Sequence, residues 1–424
     1  MSNMRLRNEI IRISDVQFGA KTDIDNGVLF INKQELIDYI ATPQLKKIDI
    51  DIARPGESVR IVPIKDVLEP RIKASEDGGS FPGYCGKFDG CGDGTTKVLR
   101  GCSVVTVGRI IAFQEGIIDM AGPGTDYCYY SKLNNVVVIA DPVEGVSPPK
   151  HEELLRLAGV KATHYLAMAA KNASSTEVEE YELKPVSRDL PKIAYVYCVM
   201  AQGLLHDNYL YGVDCKKLHP TLLHPNEIMD GALVSGNCVT ASDKDTTYDH
   251  QNNPIIAELY SRHNVDLNFL GVILSPICPG LSDKERCDTG SINIARQIGA
   301  DAVIIAEEGG GNPEADLMML CRNAEKNGIK TVLMMQENAG PDGTAEPITD
   351  TTPEADAVIS VGNCNHLITL PKMKKTIGYE EAVRHLSGNA YDCINPDGSI
   401  SASLSVIMAS VNSLGMSKLG STVK

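Results

Sequence analysis

The chain has 424 residues, of which 43% are hydrophobic and 22% charged, a composition typical of a folded protein with two or three domains. Its formal charge of −15 disfavours a surface for nucleic acid or anionic lipid, because both need clustered lysine and arginine. No apolar stretch is long enough to span a bilayer, and the residues after Met1 lack the apolar segment of a signal peptide. We therefore expect a cytoplasmic protein that binds neither nucleic acid nor a membrane.

Twelve cysteines are spread along the chain, and in a cytoplasmic protein we expect them to be reduced thiols. Cys85, Cys91, Cys102 and Cys128 fall in one region, but their spacings match no zinc or iron–sulfur pattern. The spacing favours buried small hydrophobic side chains instead. The histidines have no metal-ligand spacing either, so the sequence predicts no metal site.

Residues 1–150 are predicted to form a β-rich N-terminal domain. Short β-branched runs, separated by glycine, proline and aspartate, occur at 27–31, 59–63, 104–107 and 135–139. Residues 151–190 are predicted to be a helix and a linker, because apolar residues recur at helical spacing between Glu152 and Lys171 and a polar stretch follows.

Residues 191–424 are predicted to form an α/β region with a parallel sheet, because apolar strands alternate with amphipathic helices. The predicted strands are 193–200, 233–235, 269–274, 302–306, 331–335 and 357–361. The predicted helices are 283–298, 313–326, 379–386 and 404–414, with another that begins near Pro254. Ligands of such sheets bind at the carboxyl ends of the strands.

Gly236-Asn237-Cys238 follows the strand predicted at 233–235. Gly236 permits a bent backbone in which the sulfur of Cys238 reaches the carbonyl carbon of Asn237. Attack breaks the amide and makes a thioester. Loss of the α-proton then expels the sulfur by β-elimination and leaves dehydroalanine at position 238, which tautomerises to an imine. Water hydrolyses the imine, which releases ammonia and leaves a pyruvoyl group. Such a ketone condenses with an amine and withdraws electrons from it. The alternative is a turn before an ordinary buried cysteine, and a second Gly-Asn-Cys at 362–364 means that the tripeptide alone does not decide.

The segment 229–239, MDGALVSGNCV, resembles the processing site of one family, the pyruvoyl-bearing component B of glycine, sarcosine and betaine reductases. The likeness extends along the chain, through segments 27–36, 53–60, 113–120, 202–207, 307–309 and 311–313. By motifs of this length in this order, the chain is identified as a member of that family. One departure is Ser242, where a cysteine is common in the family.

The resemblance implies that the chain is a precursor, cut between Asn237 and Cys238, in which Cys238 becomes the pyruvoyl group. It implies that the two fragments stay together and join a selenocysteine-containing subunit. The selenol of selenoprotein A then displaces the amino group of the substrate, which leads to acetyl phosphate and to ammonia or an amine. Thioredoxin-type dithiols supply the electrons, so the implied enzyme is an oxidoreductase.

Three further residues are candidates for acid–base chemistry. His206 and Asp207 follow Gly203 and could remove a proton during processing or catalysis. Glu307, next to Glu308 at the end of a predicted strand, is the third. The alternatives are a histidine bonded to its local backbone and a glutamate that caps the following helix.

The ability of an amine to condense with a ketone narrows the choice among glycine, sarcosine and betaine as substrate, but does not decide it. Glycine and sarcosine can condense with a ketone, whereas betaine carries no N–H, and glycine is the default. Arg54 or Arg60 could bind the substrate carboxylate, and either could instead form a surface ion pair. Tyr127, near Tyr129 and Tyr130, could offer an aromatic face to a methylated amine or pack on its own scaffold. The sequence also leaves open a proline-reductase-type pyruvoyl subunit and an unprocessed scaffold paralogue.

Overall fold

The computed structural model of the chain describes residues 4–111, 115–186, 188–203, 207–236, 240–386 and 393–415. Mixed sheets and helices give it the α/β class that the sequence predicts. The helices run over Lys33–Ile40, Pro148–Met168, Pro225–Met229, Thr247–Gln251, Pro254–Arg262, Leu281–Gln297 and Asn312–Lys326. Within these ranges no helix has both the length and the apolar character needed to cross a membrane.

A six-stranded mixed sheet forms the centre of the N-terminal part. The order of its main path is Gly116–Asp119, Val59–Leu68, Cys102–Val107, Asn134–Pro142 and Leu45–Ala53. The long helix Pro148–Met168 packs on it and buries Leu155, Ala158, Ala162 and Leu166 in a shared core. A Cβ at Gly159 would collide with Thr106 Oγ1, so a glycine is required where helix and sheet approach.

Two smaller sheets extend this part of the molecule. One has the order Glu177–Glu182, Arg5–Arg12, Gly94–Arg100 and Arg71–Lys73, and the other the order Asp15–Phe18, Val28–Ile31 and Asp23–Asp25. The strand Glu177–Glu182 lies inside the predicted linker and pairs antiparallel with Arg5–Arg12. Much of residues 151–190 is therefore helix and edge strand that packs on the N-terminal sheets.

The C-terminal part contains the predicted parallel sheet. Its order is Thr221–Leu223, Asn268–Ile277, Lys192–Met200, Ala302–Glu307, Lys330–Glu337 and Val358–Asn363, and only the first of these pairs antiparallel. Leu281–Gln297 and Asn312–Lys326 cover one face, and Pro254–Arg262 covers the other. Burial on both faces explains why these strands are nearly continuous apolar runs.

One strand of the C-terminal part crosses to the N-terminal sheet. Lys375–Gly378 pairs parallel with Val59–Leu68 and completes the six strands. A short antiparallel pair, Leu367–Leu370 with Ile400–Ser403, flanks this strand in the sequence. Its apolar residues Leu370, Ile400 and Ala402 join the core of the N-terminal sheet.

Two predicted helices are wrong. The segment predicted at 379–386 is a 3-10 helix over Glu380–His385, and the one predicted at 404–414 contains only the 3-10 turn Leu404–Val406. The residues after that turn are buried and irregular, and Ala409 has a φ of 56°. Helical spacing of apolar residues cannot distinguish such a segment from a buried helix.

Candidate active site

The strand order of the parallel sheet indicates where a ligand crevice lies. Numbered along the chain, the parallel strands have the spatial order 2-1-3-4-5. Connections leave the first strand, Lys192–Met200, and the third, Ala302–Glu307, towards opposite sides, which opens a crevice at their carboxyl ends. The chain leaves these two strands at Ala201 and at Glu308.

Gly236 lies beside this crevice. The strand before it, Leu233–Ser235, pairs antiparallel with Asn208–Leu210. The N–H of Gly236 donates to the carbonyl oxygen of Asp207, and its own carbonyl oxygen accepts a hydrogen bond from Lys244 Nζ. Asn237 and Cys238, the predicted processing pair, lie outside the described residues, as does His206. Gly236, the residue before the predicted processing pair, is thus hydrogen-bonded through both its N–H and its carbonyl oxygen.

Asp207 is buried next to Gly236. Its Oδ2 accepts a hydrogen bond from the N–H of Gly203 at 2.6 Å. Its Oδ1 has no hydrogen-bond partner among the described residues. A buried carboxylate oxygen with an open lone pair can take a proton from a group brought next to it. Of the predicted acid–base pair, Asp207 is the member whose position the structure describes.

Glu308 accepts hydrogen bonds from three other segments of the chain at the crevice. Oε2 accepts hydrogen bonds from the N–H of Met200 at 2.8 Å and from Asn208 Nδ2 at 2.7 Å. Oε1 accepts one from the N–H of Asp245 at 3.1 Å. Burial raises the pKa of this carboxyl, while the bond from Met200 and the charge of Lys244 act in the opposite direction. Glu308, a candidate together with Glu307 as an acidic pair at the end of a strand, makes more hydrogen bonds than Glu307 among the described residues.

Glu307 ends the third parallel strand and is also buried. Neither of its carboxylate oxygens has a hydrogen-bond partner among the described residues. Burial, and then the nearby carboxyls of Glu314 and Asp316, raise its pKa well above the ordinary value. Its catalytic role stays a prediction.

Lys244 is a buried cation at the site, with 2% of its surface exposed. Burial raises the pKa of Asp66 to about 6, and the Lys244 charge opposes that rise. For Glu152, burial raises the pKa to about 7, against the charges of Arg156 and, more weakly, Lys244. Lys244 is therefore a positive charge inside a group of carboxyl side chains that come from distant parts of the chain.

Asp66 connects the N-terminal sheet to the strand before Gly236. It lies on Val59–Leu68, and its two oxygens accept hydrogen bonds from the N–H and the Oγ1 of Thr247 at 3.0 and 2.6 Å. Thr247 Oγ1 in turn accepts a hydrogen bond from the N–H of Ser235 at 2.9 Å. The backbone that leads into Gly236 is thereby fixed to both parts of the molecule.

A second buried polar network lies near Lys244. The hydroxyl of Tyr197 donates to Asp245 Oδ2 at 3.1 Å and lies 2.7 Å from Nδ1 of His250. His250 Nε2 lies 3.3 Å from the side-chain oxygen of Asn208, and the side-chain Nδ2 of the same residue donates to Glu308. Burial and the charge of Lys244 lower the pKa of His250 to about 3, so this imidazole is neutral near pH 7. None of these residues was a candidate in the sequence analysis except Glu308.

Asp249 gives the site a testable pH dependence. Burial raises its pKa from 3.8 to about 7, although Oδ2 accepts hydrogen bonds from Tyr130 at 2.6 Å and from Asn412 at 3.0 Å. The folded state keeps a proton that the unfolded chain loses between those values, so stability falls as pH rises, by about 1.4 kcal/mol per unit. Asp249→Asn, which can accept the same hydrogen bonds, should remove this slope. Denaturant unfolding at pH values from about 4 to about 8 measures it, and an unchanged slope in the variant would contradict the assignment.

The two arginines considered for the substrate carboxylate are both in ion pairs. Arg54 is partly exposed and binds Asp15 at 2.7 Å and Glu57 at 3.4 Å. Arg60 is buried and donates two hydrogen bonds, of 2.7 and 2.8 Å, to the carboxylate of Asp119. Substrate binding by Arg54 stays a prediction.

The loop tyrosines differ in their surroundings. Tyr127 packs against the core of the N-terminal sheet, and its ring centroid lies 6.5 Å from that of His366. Tyr129 and Tyr130 both contact the ring of Tyr248, at 5.8 and 5.7 Å. These contacts fit a scaffold role, and substrate binding by Tyr127 stays a prediction.

The cysteines of the described residues are free thiols, and Cys91, Cys102 and Cys128 are buried. Over the same residues, no three or more His, Cys, Asp or Glu side chains are arranged to hold a metal ion. Burial raises the pKa of Cys85 to about 11 and that of Cys128 to about 12, so both remain protonated near neutral pH.

Lys244, Asp66 and Thr247 are residues that sequence reasoning missed. Two signals were available. A charged pair, Lys65-Asp66, interrupts the apolar strand Val59–Leu68, and Asp243-Lys244-Asp245 is a charged run a few residues after Cys238. Charged residues are rarely buried unless they are paired. These charged runs therefore favoured an exposed segment over a buried functional site.

The sequence matches the family model described as glycine/sarcosine/betaine reductase component B subunits over residues 4–422. A relative from Acetoanaerobium sticklandii, named glycine reductase complex component B subunits alpha and beta, is 48% identical over 98% of this chain and 99% of its own. Two relatives from Peptoclostridium acidaminophilum are also similar. Sarcosine reductase complex component B subunit alpha is 47% identical over 98% of this chain and 99% of its own, and the betaine counterpart is 38% identical over 96% and 95%.

No experimentally solved structure matches the chain. The family model covers nearly all of the sequence, and two of the relatives approach half identity along almost their full length. The match also includes Gly236 and Lys244, which lie beside the crevice. The chain therefore belongs to the glycine/sarcosine/betaine reductase component B subunits.

Proposed function

We propose that the chain is a self-processing precursor, cut between Asn237 and Cys238, whose second fragment begins with a pyruvoyl group made from Cys238. The observation that carries the proposal is the position of Gly236, held by Asp207 and Lys244 beside the crevice at the carboxyl ends of two parallel strands. The name of the glycine reductase relative, which gives subunits alpha and beta to one chain of this length, also supports scission.

The surroundings of Gly236 suit the formation of such a group. Formation needs a proton to leave the Cα of residue 238 as sulfur departs, and Oδ1 of Asp207 is a nearby buried acceptor with no partner among the described residues. The positive charge of Lys244 favours negative charge that develops close to it. Burial of both residues keeps out water, which would otherwise weaken these interactions.

A pyruvoyl group supplies a ketone that withdraws electrons from the amine of a bound substrate. The chain's own contribution is a crevice whose walls are fixed by Glu308, Asp66 and Thr247. We propose that glycine is the substrate and that sarcosine is the closest competitor, since the relatives named for these two substrates are almost equally similar. Betaine is the weaker alternative, because it has no N–H and its relative is less similar.

Component B acts within a larger assembly in this proposal. A selenocysteine-containing subunit joins the two fragments, and the selenol of selenoprotein A displaces the amino group of the activated substrate. Acetyl phosphate and ammonia, or an amine, are the products, and dithiols of the thioredoxin type supply the electrons. The reaction takes place in the cytoplasm.

Intact mass of the purified protein tests the proposal. Two fragments should be found whose masses fit scission after Asn237. The second should resist Edman degradation and react with a carbonyl reagent such as a hydrazide, because its first residue has a ketone in place of an amine. A single full-length chain with a free thiol at Cys238 would instead favour an unprocessed scaffold.

A further inference from the structure

The contact between Lys244 and Gly236 closes a loop around the proposed scission point. Gly236 precedes Asn237, and Lys244 lies on the other side of Cys238. The buried ammonium donates to the Gly236 carbonyl oxygen, and the N–H of the next residue, Asp245, is bound to Glu308 at 3.1 Å. Both ends of the nine-residue stretch 236–244 are thus fixed to the same buried site.

The hydrogen bond to the Gly236 carbonyl oxygen constrains the peptide group that joins Gly236 to the next residue. The carbonyl of Gly236 and the amide nitrogen of Asn237 belong to one planar peptide group, so a hydrogen bond to the oxygen sets the orientation of the whole plane. The N–H of Gly236 is held independently by the carbonyl of Asp207. Gly236 is therefore constrained at both of its peptide groups, which leaves fewer backbone states from which the next residue can start.

We propose that Lys244 is a positioning residue for chain scission. It orients the Gly236 peptide group so that the sulfur of Cys238 can reach the carbonyl carbon of Asn237, and after scission its bond to Gly236 links the first fragment to the second. This inference rests on the proposed self-processing. It adds that Lys244 is the residue that directs scission to the Gly-Asn-Cys sequence at 236–238 and not to the one at 362–364.

The second Gly-Asn-Cys, at 362–364, has different contacts. The thiol of Cys364 donates to Asn338 Oδ1 at 2.9 Å, and its N–H donates to the carbonyl of Glu337 at 3.0 Å. Asn363 lies in the parallel strand Val358–Asn363 and its side chain bonds Gly340 at 2.8 Å. Burial also raises the pKa of Cys364 to about 12, which disfavours the nucleophilic thiolate. We expect this sequence to remain intact.

Lys244→Met tests the proposal, because methionine keeps most of the length and loses the ammonium. A misplaced reacting group typically slows a reaction about 100-fold, and we expect scission to slow by at least that much. Intact mass of freshly folded protein, sampled over time, gives the rate. Lys284→Met is the matched control, because Lys284 is similarly buried, paired with Asp316, and belongs to the same half of the molecule.

A second variant separates positioning from loss of stability. Lys244→Ala should regain part of its scission rate when n-propylamine is added, and n-propanol should not have that effect. The proposal is overturned if Lys244→Met is cut at the normal rate, or if Lys284→Met slows scission as much for the same fall in melting temperature. If the unaltered chain is never cut, the proposed function itself fails, and that outcome is distinct from either of these.

Discussion

Replacing Cys238 by alanine is expected to leave one folded, full-length chain that has no turnover in the assembled reductase. The sulfur is the only atom of residue 238 that can attack the Asn237 carbonyl, and alanine has no leaving group from which a ketone could form. The change removes only the sulfur atom, so the folded state should persist. Intact mass, circular dichroism and an assay with the partner components measure scission, folding and turnover separately.

Cys364→Ala is the control for this experiment, because it alters the other Gly-Asn-Cys of the chain. That variant should be cut as fast as the unaltered protein. The thiol it removes donates to Asn338 and lies far along the chain from Gly236. Normal turnover in Cys238→Ala, or loss of scission in Cys364→Ala, would remove the basis of the proposed function.

Arg60→Met is expected to lower the free energy of unfolding by about 3–5 kcal/mol, because it leaves a buried carboxylate without its partner. Arg60 and Asp119 are 5% and 1% exposed at their side chains and share two hydrogen bonds. The same guanidinium donates to the carbonyl of Pro371 at 3.0 Å, so the change also weakens the link to the C-terminal part. Denaturant unfolding measures the loss.

Arg54→Met is the matched control, since the Arg54 pair with Asp15 is partly exposed. Such pairs contribute at most about 1 kcal/mol. Adding Asp119→Leu to Arg60→Met should restore part of the lost stability, because no unpaired charge is then buried. Equal losses in Arg54→Met and Arg60→Met would contradict this account of the two arginines.

The parallel sheet was predictable because each strand is a short apolar run followed by an amphipathic helix. Lys192–Met200, Asn268–Ile277 and Ala302–Glu307 all lie within a few residues of the predicted strands at 193–200, 269–274 and 302–306. Their alternation with helices indicates the strand type and the edge of the sheet at which ligands bind. The crossing of Lys375–Gly378 to the N-terminal sheet is a long-range pairing that no local pattern reports.

The buried segment after Leu404 shows why one helix was predicted wrongly. Its serines bond groups that a helix would not bring to them. Ser405 Oγ donates to the carbonyl of Cys364 at 3.1 Å, and Ser410 Oγ donates to the carbonyl of Leu404 at 2.8 Å. Serine side chains compete in this way with helical hydrogen bonds, and the outcome depends on distant partners.

The sequence could suggest candidate site residues where the chemistry depends on neighbours in the chain, and it did not suggest those that only the fold brings together. Asn237 and Cys238 are neighbours, and Asp207 lies in a motif of the family. Lys244 and Asp66 are 178 positions apart in the numbering and meet only in the folded protein. A lysine in a charged run most often lies on the surface, and only its contact with Gly236 marks it as part of the site.

The exchange of strands between the two parts has a consequence for the processed protein. Scission after Asn237 would leave Lys192–Met200 in one fragment, between Asn268–Ile277 and Ala302–Glu307 of the other, while Lys375–Gly378 stays beside Val59–Leu68. The fragments would be interlocked and could not part without unfolding. The precursor can refold as a single molecule, but the mature pair would need two chains to meet, so its recovery after denaturation should fall on dilution. The precursor would therefore refold reversibly, whereas the two fragments of the processed protein would not reassemble readily once they had been unfolded.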